Sequence, residues 1–244
     1  LSVIKEKTIY LGFGIIRALE ADTIQMLLME RKRNGEYKSL YDFVKRVPAS
    51  IEQLTLLIRC GAFRFTGKNK KELLWEAYTL VSPIKKPKFM QDLFDVKPKQ
   101  YALPKLHDSW LDDAFDEIEI LGFPLCSPFK LVKDELPVRF TAQDISSKIG
   151  KQVEIVGYHI TVKHVPTSNG QRMYFGTFID LDGYWIDTVH FPPSAKAYPF
   201  NGPGCYHIKG KLTEEFDHVT IEVSEMKRLQ VLNRDDDETV ELVK

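Results

Sequence analysis

Three carboxylates, Asp180, Asp182 and Asp187, fall in one short stretch of this chain. Acidic residues brought close together hold the paired metal ions of nucleotidyl transfer. Their spacing argues otherwise here. Asp182 precedes Gly183, a pair whose ordinary use is a hairpin turn, and Asp180 reads as a strand-end residue. His159, His164, His190, His207 and His218 are scattered without a ligand spacing. Cys60, Cys126 and Cys205 lie far apart with no CxxC, which argues against a zinc ribbon or a disulfide scaffold and fits a reducing cytoplasm. No phosphate-binding GxxxxGK[ST] loop, GxSxG or HExxH occurs. The sequence therefore predicts no catalytic residue, no metal site and no cofactor, and leaves binding as the chemistry to look for.

Net charge gives no global attraction to nucleic acid, because 34 Lys and Arg balance 34 Asp and Glu. Contact with phosphate must come from local clusters. Residues 59–99 supply one, with ten basic residues against four acids. Within it Arg64, Lys68, Lys70 and Lys71 are candidates for phosphate contact. Lys70 and Lys71 fall at a predicted helix start, where cations oppose the helix dipole unless an anion is near. A solvated basic face is the alternative. Further along, alternation splits Met173, Phe175 and Thr177 from Tyr174, Gly176 and Phe178; Phe175, Tyr184 and Trp185 are rings that could stack on an unpaired base, with Lys163, His164 and Arg172 placed to meet phosphates. Residues 151–231 hold eight basic and nine acidic residues, so this second candidate surface has no basic excess.

The elements that position these residues follow from periodicity. Helical spacing runs from about Glu20 to Arg33, with Asp22 as a candidate cap, and from Ser39 to Pro48. Ser50 and Asn69 are expected to cap two further helices, the second ending near Leu80. Prolines and lysines mark residues 83–108 as a linker, interrupted by the apolar peptide Phe89-Met90-Gln91-Asp92-Leu93-Phe94. A helix over 109–122 presents Trp110, Ala114, Ile118 and Leu121 on one face. From Lys151 the period changes to that of strands, and Ser168-Asn169-Gly170 and Asp182-Gly183 are hairpin turns. Five strands with an irregular, partly helical stretch over 192–203 predict a five-stranded barrel of the OB type, with a plain sandwich as competitor. The expected segments are 1–82, a linker 83–108, a connecting helix and loop 109–150, a barrel 151–231 and an acidic tail 232–244.

Two short runs carry a resemblance. Leu57-Ile58-Arg59-Cys60-Gly61-Ala62-Phe63 resembles the end of the tandem helix-hairpin-helix region in the alpha subunit of bacterial DNA polymerase III. Glu119-Ile120-Leu121-Gly122-Phe123-Pro124 resembles the helix exit leading into that subunit's OB-fold. Their order matches across nearly the whole chain, and the fold class this implies is multidomain α + β, a helix-hairpin-helix bundle followed by an OB-fold barrel. The resemblance implies duplex DNA on the hairpins, with phosphate met by Gly61, Arg64, Gly67, Lys68, Lys70 and Lys71; single-stranded DNA on the barrel, with Phe175 turned outward as the best stacking ring and Phe178 inward; and a sliding clamp bound by Gln91, Asp92, Leu93 and Phe94, with other replisome subunits as partners. Two departures stand out: Ala18-Leu19-Glu20 replaces a Gly-x-Gly hairpin, and Met90 stands where the clamp peptide has Gln. In the family, polymerization with Mg²⁺ belongs to domains upstream. The opening Leu1 in place of methionine fits a piece of a longer protein, expected to be non-catalytic and cytoplasmic. A stand-alone single-strand-binding adaptor and a protein-interaction module remain as alternatives. No apolar run is long enough to span a membrane, and no signal peptide is present.

Overall fold

A computed structural model describes residues 2–81, 109–133, 135–137, 141–215 and 218–236. The chain forms two compact units, Leu1–Leu125 and Cys126–Lys244.

The first unit opens with a small hairpin, β1 (Val3–Lys5) and β2 (Thr8–Tyr10). Helices α1 (Ala21–Asn34), α2 (Leu40–Arg46), α3 (Ile51–Arg59), α4 (Lys70–Val81) and α5 (Trp110–Leu121) follow. The starts of α2 and α3 are closed by Ser39 and Ser50, whose hydroxyls accept from the N–H groups of Asp42 and Gln53. Asn69 and Glu72 form a reciprocal capping box at α4, at 2.7 and 3.1 Å. Asp22 is not a cap: Glu20 holds that position, and Asp22 lies in the first turn of α1.

Leu54, Leu57 and Ile58 of α3 are the centre of the helical core, packed with Leu40, Phe43, Phe63 and Leu73. Burying each such side chain stabilises by about 1.5–3 kcal/mol. On α5 the buried face is Leu111, Ala114 and Ile120, whereas Trp110, expected on it, is 48% exposed. The rotation brings Asp116 to face Arg59 and Lys70. Thus α5, expected within a connecting segment, is part of the helical unit.

The second unit is a closed barrel in the order β3 (Gln152–Pro166), β4 (Arg172–Ile179), β5 (Trp185–His190), β7 (His218–Arg228), β6 (Cys205–Glu215). Four pairings are antiparallel, and β5–β7 is parallel. A short helix, α6 (Pro192–Ala197), lies between β5 and β6. This is the OB-fold topology. Gly210 sits at a register shift in β6, where a Cβ would come within 2.3 Å of the Glu222 carbonyl oxygen. Phe129 packs on Val156 and Cys205, and Ala142 enters the barrel core, so residues from 126 onward belong with the barrel. The part of the acidic tail that is described ends in Asp236, which pairs with Lys133 at 3.1 Å.

Two histidines lie beside Phe200 in the barrel, His190 fully buried and His159 half-buried. The Thr188 hydroxyl donates to the Gly176 carbonyl, so it must accept from Nε2–H of His190 at 3.0 Å. That fixes the tautomer and leaves Nδ1 of His190 as a buried acceptor without a partner among the described residues. Burial, reinforced by His159, pushes the His190 pKa down to about 4. His159 is also lowered, by burial. A base that stays neutral in the fold but takes a proton when unfolded costs stability in acid. The barrel should therefore be fully stable above about pH 6.5 and lose about 3 kcal/mol from His190 as pH falls toward 4. Urea denaturation from pH 7 to 4 tests this. The slope should flatten in His190→Gln, and equal slopes in the two proteins would refute the assignment.

Candidate nucleic-acid interface

The second helix pair carries the predicted duplex contacts. Gly61 has φ +78° and ends α3: its N–H donates to the Ile58 carbonyl, and that of Ala62 to the Leu57 carbonyl, both at 2.9 Å. This is a Schellman closure, which requires the left-handed conformation glycine adopts cheaply. The Arg64 guanidinium lies over Gly61, where a Cβ would come within 2.6 Å of Nε. Gly67 is also left-handed. Both glycines are thus accounted for by chain geometry.

The lysines are close together at the start of α4, but each meets a carboxylate. Lys68 pairs with Glu76 at 2.6 Å, Lys70 with Asp113 at 2.5 Å and Asp116 at 3.6 Å, and Lys71 with Asp112 at 3.2 Å. Arg59 joins the same group through Asp116 at 2.7 Å and through Glu119. Hydrogen bonds that the Arg59 guanidinium donates to Glu119, then to Asp116, raise its pKa above its already high value. The anions that make cations tolerable at this helix start are supplied by α5.

The first hairpin is occupied too. The Gln53 amide, on α3 and 6% exposed, accepts from Glu20 N–H at 2.8 Å and donates to the Ala18 carbonyl at 3.0 Å. A side chain therefore fills the helix start where a phosphate would sit. Ala18 has φ +60°, a conformation glycine would adopt without strain.

On the barrel, the outward rows follow from strand register. Lys163, Phe175 and Val189 lie side by side on β3, β4 and β5, with Glu222 beyond on β7. Thr161, Thr177 and Asp187 make the next row, and Ile179 and Trp185 a third. Phe175 is 41% exposed and Trp185 64%, while Phe178 is fully buried, so Phe175 and Phe178 fall on opposite faces as alternation requires, the outward one being the one the resemblance implies. Tyr184 is also exposed. Lys163, His164 and Arg172 are exposed near the first barrel hairpin. The structure thus brings Lys163, Phe175 and Trp185 onto one face.

Asp187 is on that face as well. Its Oδ1 accepts from the Thr177 hydroxyl at 2.7 Å, and its Oδ2 lies 3.0 Å from His218 Nε2. Asp180 has a different task. It is 1% exposed and accepts backbone N–H bonds from Ala142, Asp182 and Tyr184. The three carboxylates do not converge. Sequence reading missed Gln53, the α5 partners and the Thr177–Asp187–His218 group, since each joins residues remote along the chain. Gln91, Asp92, Leu93 and Phe94 lie outside the described residues.

A helix-hairpin-helix motif model matches residues 1–73. The DNA polymerase III subunit alpha of Staphylococcus epidermidis (strain ATCC 35984) is 27% identical over 228 residues, covering 90% of this chain and 21% of that protein. That of Staphylococcus aureus (strain MSSA476) is 28% identical over 225 residues, 87% of this chain and 20% of that protein. The chain is a homologue of DNA polymerase III alpha subunits. It spans about a fifth of the length of these alpha subunits. Among solved structures, a mitochondrial single-stranded DNA binding protein of S. cerevisiae is 12% identical over 34% of this chain and 97% of its own, with a TM-score of 0.29. PriB from Ralstonia solanacearum is 11% identical over 32% and 95%, with a TM-score of 0.28. No helix among the described residues is long and apolar enough to cross a membrane.

Two substitutions test the first hairpin. Gln53→Ala should cost roughly 1–3 kcal/mol, the penalty for buried polar groups left unpaired. Ala18→Gly should be neutral to stabilising by up to about 1 kcal/mol, as strain relief offsets added chain entropy. Denaturation midpoints measure both, and a silent Gln53→Ala would show that this contact does not hold the turn.

Proposed function

We propose that this chain is a DNA-binding region of a DNA polymerase III alpha subunit and serves in replication. One observation carries the reading: similarity to alpha subunits extends over 90% of the chain, across a helix-hairpin-helix unit followed by a closed five-stranded barrel. Single-stranded template binds the barrel face that holds Lys163, Phe175 and Trp185, with Arg172 at its hairpin edge. Bases stack on the exposed rings, each contributing about 1–3 kcal/mol, and phosphates meet the two cations. Ring stacking is sequence-tolerant, as a polymerase template requires.

The helical unit lies along duplex product, and the neutralisation of Lys68, Lys70 and Lys71 by acids makes this contact weak by itself. Affinity is supplied by attachment to other parts of the polymerase and by the sliding clamp. The clamp is engaged by Gln91, Asp92, Leu93 and Phe94, with Leu93 and Phe94 as paired apolar anchors. Polymerization itself, with its Mg²⁺ and nucleotides, is the work of other parts of the parent protein, and the site of action is the cytoplasm.

Fluorescence anisotropy of the chain with single-stranded and primed duplex DNA across a salt series tests the reading. Single-strand binding should be measurable at low salt and weaken as salt rises. Phe175→Ala should reduce it roughly tenfold, a loss of about 1.4 kcal/mol, with duplex binding little changed. Absence of binding at low salt would favour the protein-interaction alternative, which the balanced charge of the barrel supports. Separately, Leu93→Ala with Phe94→Ala should abolish binding to the purified sliding clamp, and undiminished binding would remove the clamp from the proposal.

A further inference from the structure

A carboxylate in the middle of a single-strand-binding face needs a reason. Asp187 repels phosphate, and it is not buried out of reach: its side chain is 36% exposed. Register places it between the two exposed rings. It is two residues from Trp185 on β5, hence roughly 7 Å along the strand. It is diagonal to Phe175, whose direct partner is Val189, again roughly 7 Å away. A base stacked on either ring turns its edge toward this carboxylate.

The carboxylate is also held. Thr177 donates to Oδ1 and His218 lies against Oδ2. Each carboxylate oxygen can accept more than one hydrogen bond, so both retain accepting capacity toward solvent. His218 is 64% exposed and closes only one flank. Of the nearby cations Lys163 stands in the Phe175 row, whereas Arg172, at the hairpin end, alternates to the other side of the strand. A backbone phosphate is drawn to Lys163, and the edge of a stacked base to the Asp187 row.

Two parallel acceptors select a base with two parallel donors. Guanine presents N1–H and N2–H side by side on its pairing edge. Thymine offers one N–H between two carbonyls, and cytosine and adenine each set an amino group beside a bare ring nitrogen. Unpaired bases expose these edges to side chains, and bidentate charge-assisted bonds are the strong ones.

We propose that Asp187 is a base-reading residue that gives the barrel face a preference for guanine in single-stranded DNA. The inference rests on the single-strand reading of this face. The test compares binding of the whole chain to oligothymidine and to the same oligomer carrying isolated guanines or isolated inosines, which keep N1–H but lack the N2 amino group. Wild type should bind the guanine oligomer roughly tenfold more tightly, with inosine between. Asp187→Asn should shrink the difference to about twofold or less without weakening oligothymidine binding. Thr177→Val keeps the charge but removes the bond that orients it, and should also lower discrimination. Thermal melts confirm that both variants fold.

Equal binding of all oligomers by wild type would overturn the proposal. So would an Asp187→Asn variant that gains the same affinity for every oligomer while Thr177→Val is silent, since Asp187 would then be only a repulsive charge. Failure of the single-strand reading looks different: no oligomer binds, and Phe175→Ala changes nothing.

Discussion

A backbone N–H at the start of a helix must find an acceptor, and much of this fold follows from how that demand is met. Ser39, Ser50 and Ser109 close α2, α3 and α5 with their own hydroxyls, and Asn69 with Glu72 closes α4. At the first hairpin the acceptor comes from Gln53, thirty-three residues beyond the Glu20 N–H it serves. Helix starts are where a helix-hairpin-helix protein can accept phosphates. When side chains already occupy those positions, a phosphate must displace a partner that is covalently present at high local concentration. The helical unit is therefore built first for internal order, and a phosphate approaching these helix starts would have to compete with partners of the chain's own.

Charge follows the same logic. Arg59, Lys70 and Lys71 meet Asp112, Asp113, Asp116 and Glu119 of α5. Exposed pairs of this kind contribute little individually, about 0–1 kcal/mol. Asp116 is different, since its side chain is only 10% exposed and it is shared by two cations. Removing one partner there leaves charge in a poorly solvated place. The acid-rich stretch that looks like a solvated surface in the sequence is thus the counterpart of the basic stretch before it. The barrel repeats the pattern in part, Lys209 meeting Glu154 and Glu225, but it also sets a carboxylate, Asp187, among exposed rings.

Local structure was largely legible in the sequence. Strand alternation set Phe175 and Phe178 on opposite faces, the family resemblance turned Phe175 outward, and glycine-containing turns separated the barrel strands. Serine and asparagine caps marked three helix starts. What was hidden depends on residues distant in sequence. Nothing near Lys70 announces Asp113 or Asp116, so a cation at a helix start reads as a site awaiting an anion when its anion is more than forty residues further on. The same holds for α5 itself. Its helical period was clear, but an acid in its buried face, Asp116, obscured which side turns inward, and the proline-rich stretch before it marked it off from the helices it packs with. Gln53 looks like an ordinary polar residue near a helix start, and only packing reveals the turn that it closes.

The helices flanking residues 82–108 belong to the same unit, and that has a mechanical consequence. Lys70 and Lys71, at the beginning of α4, are bound to the beginning of α5, while the intervening chain leaves from the far end of α4. Val81 and Trp110, twenty-nine residues apart in sequence at the end of α4 and the start of α5, are therefore anchored on one body by helices that are locked to each other at their starts. A load on either of these anchor points is borne by the same helical unit.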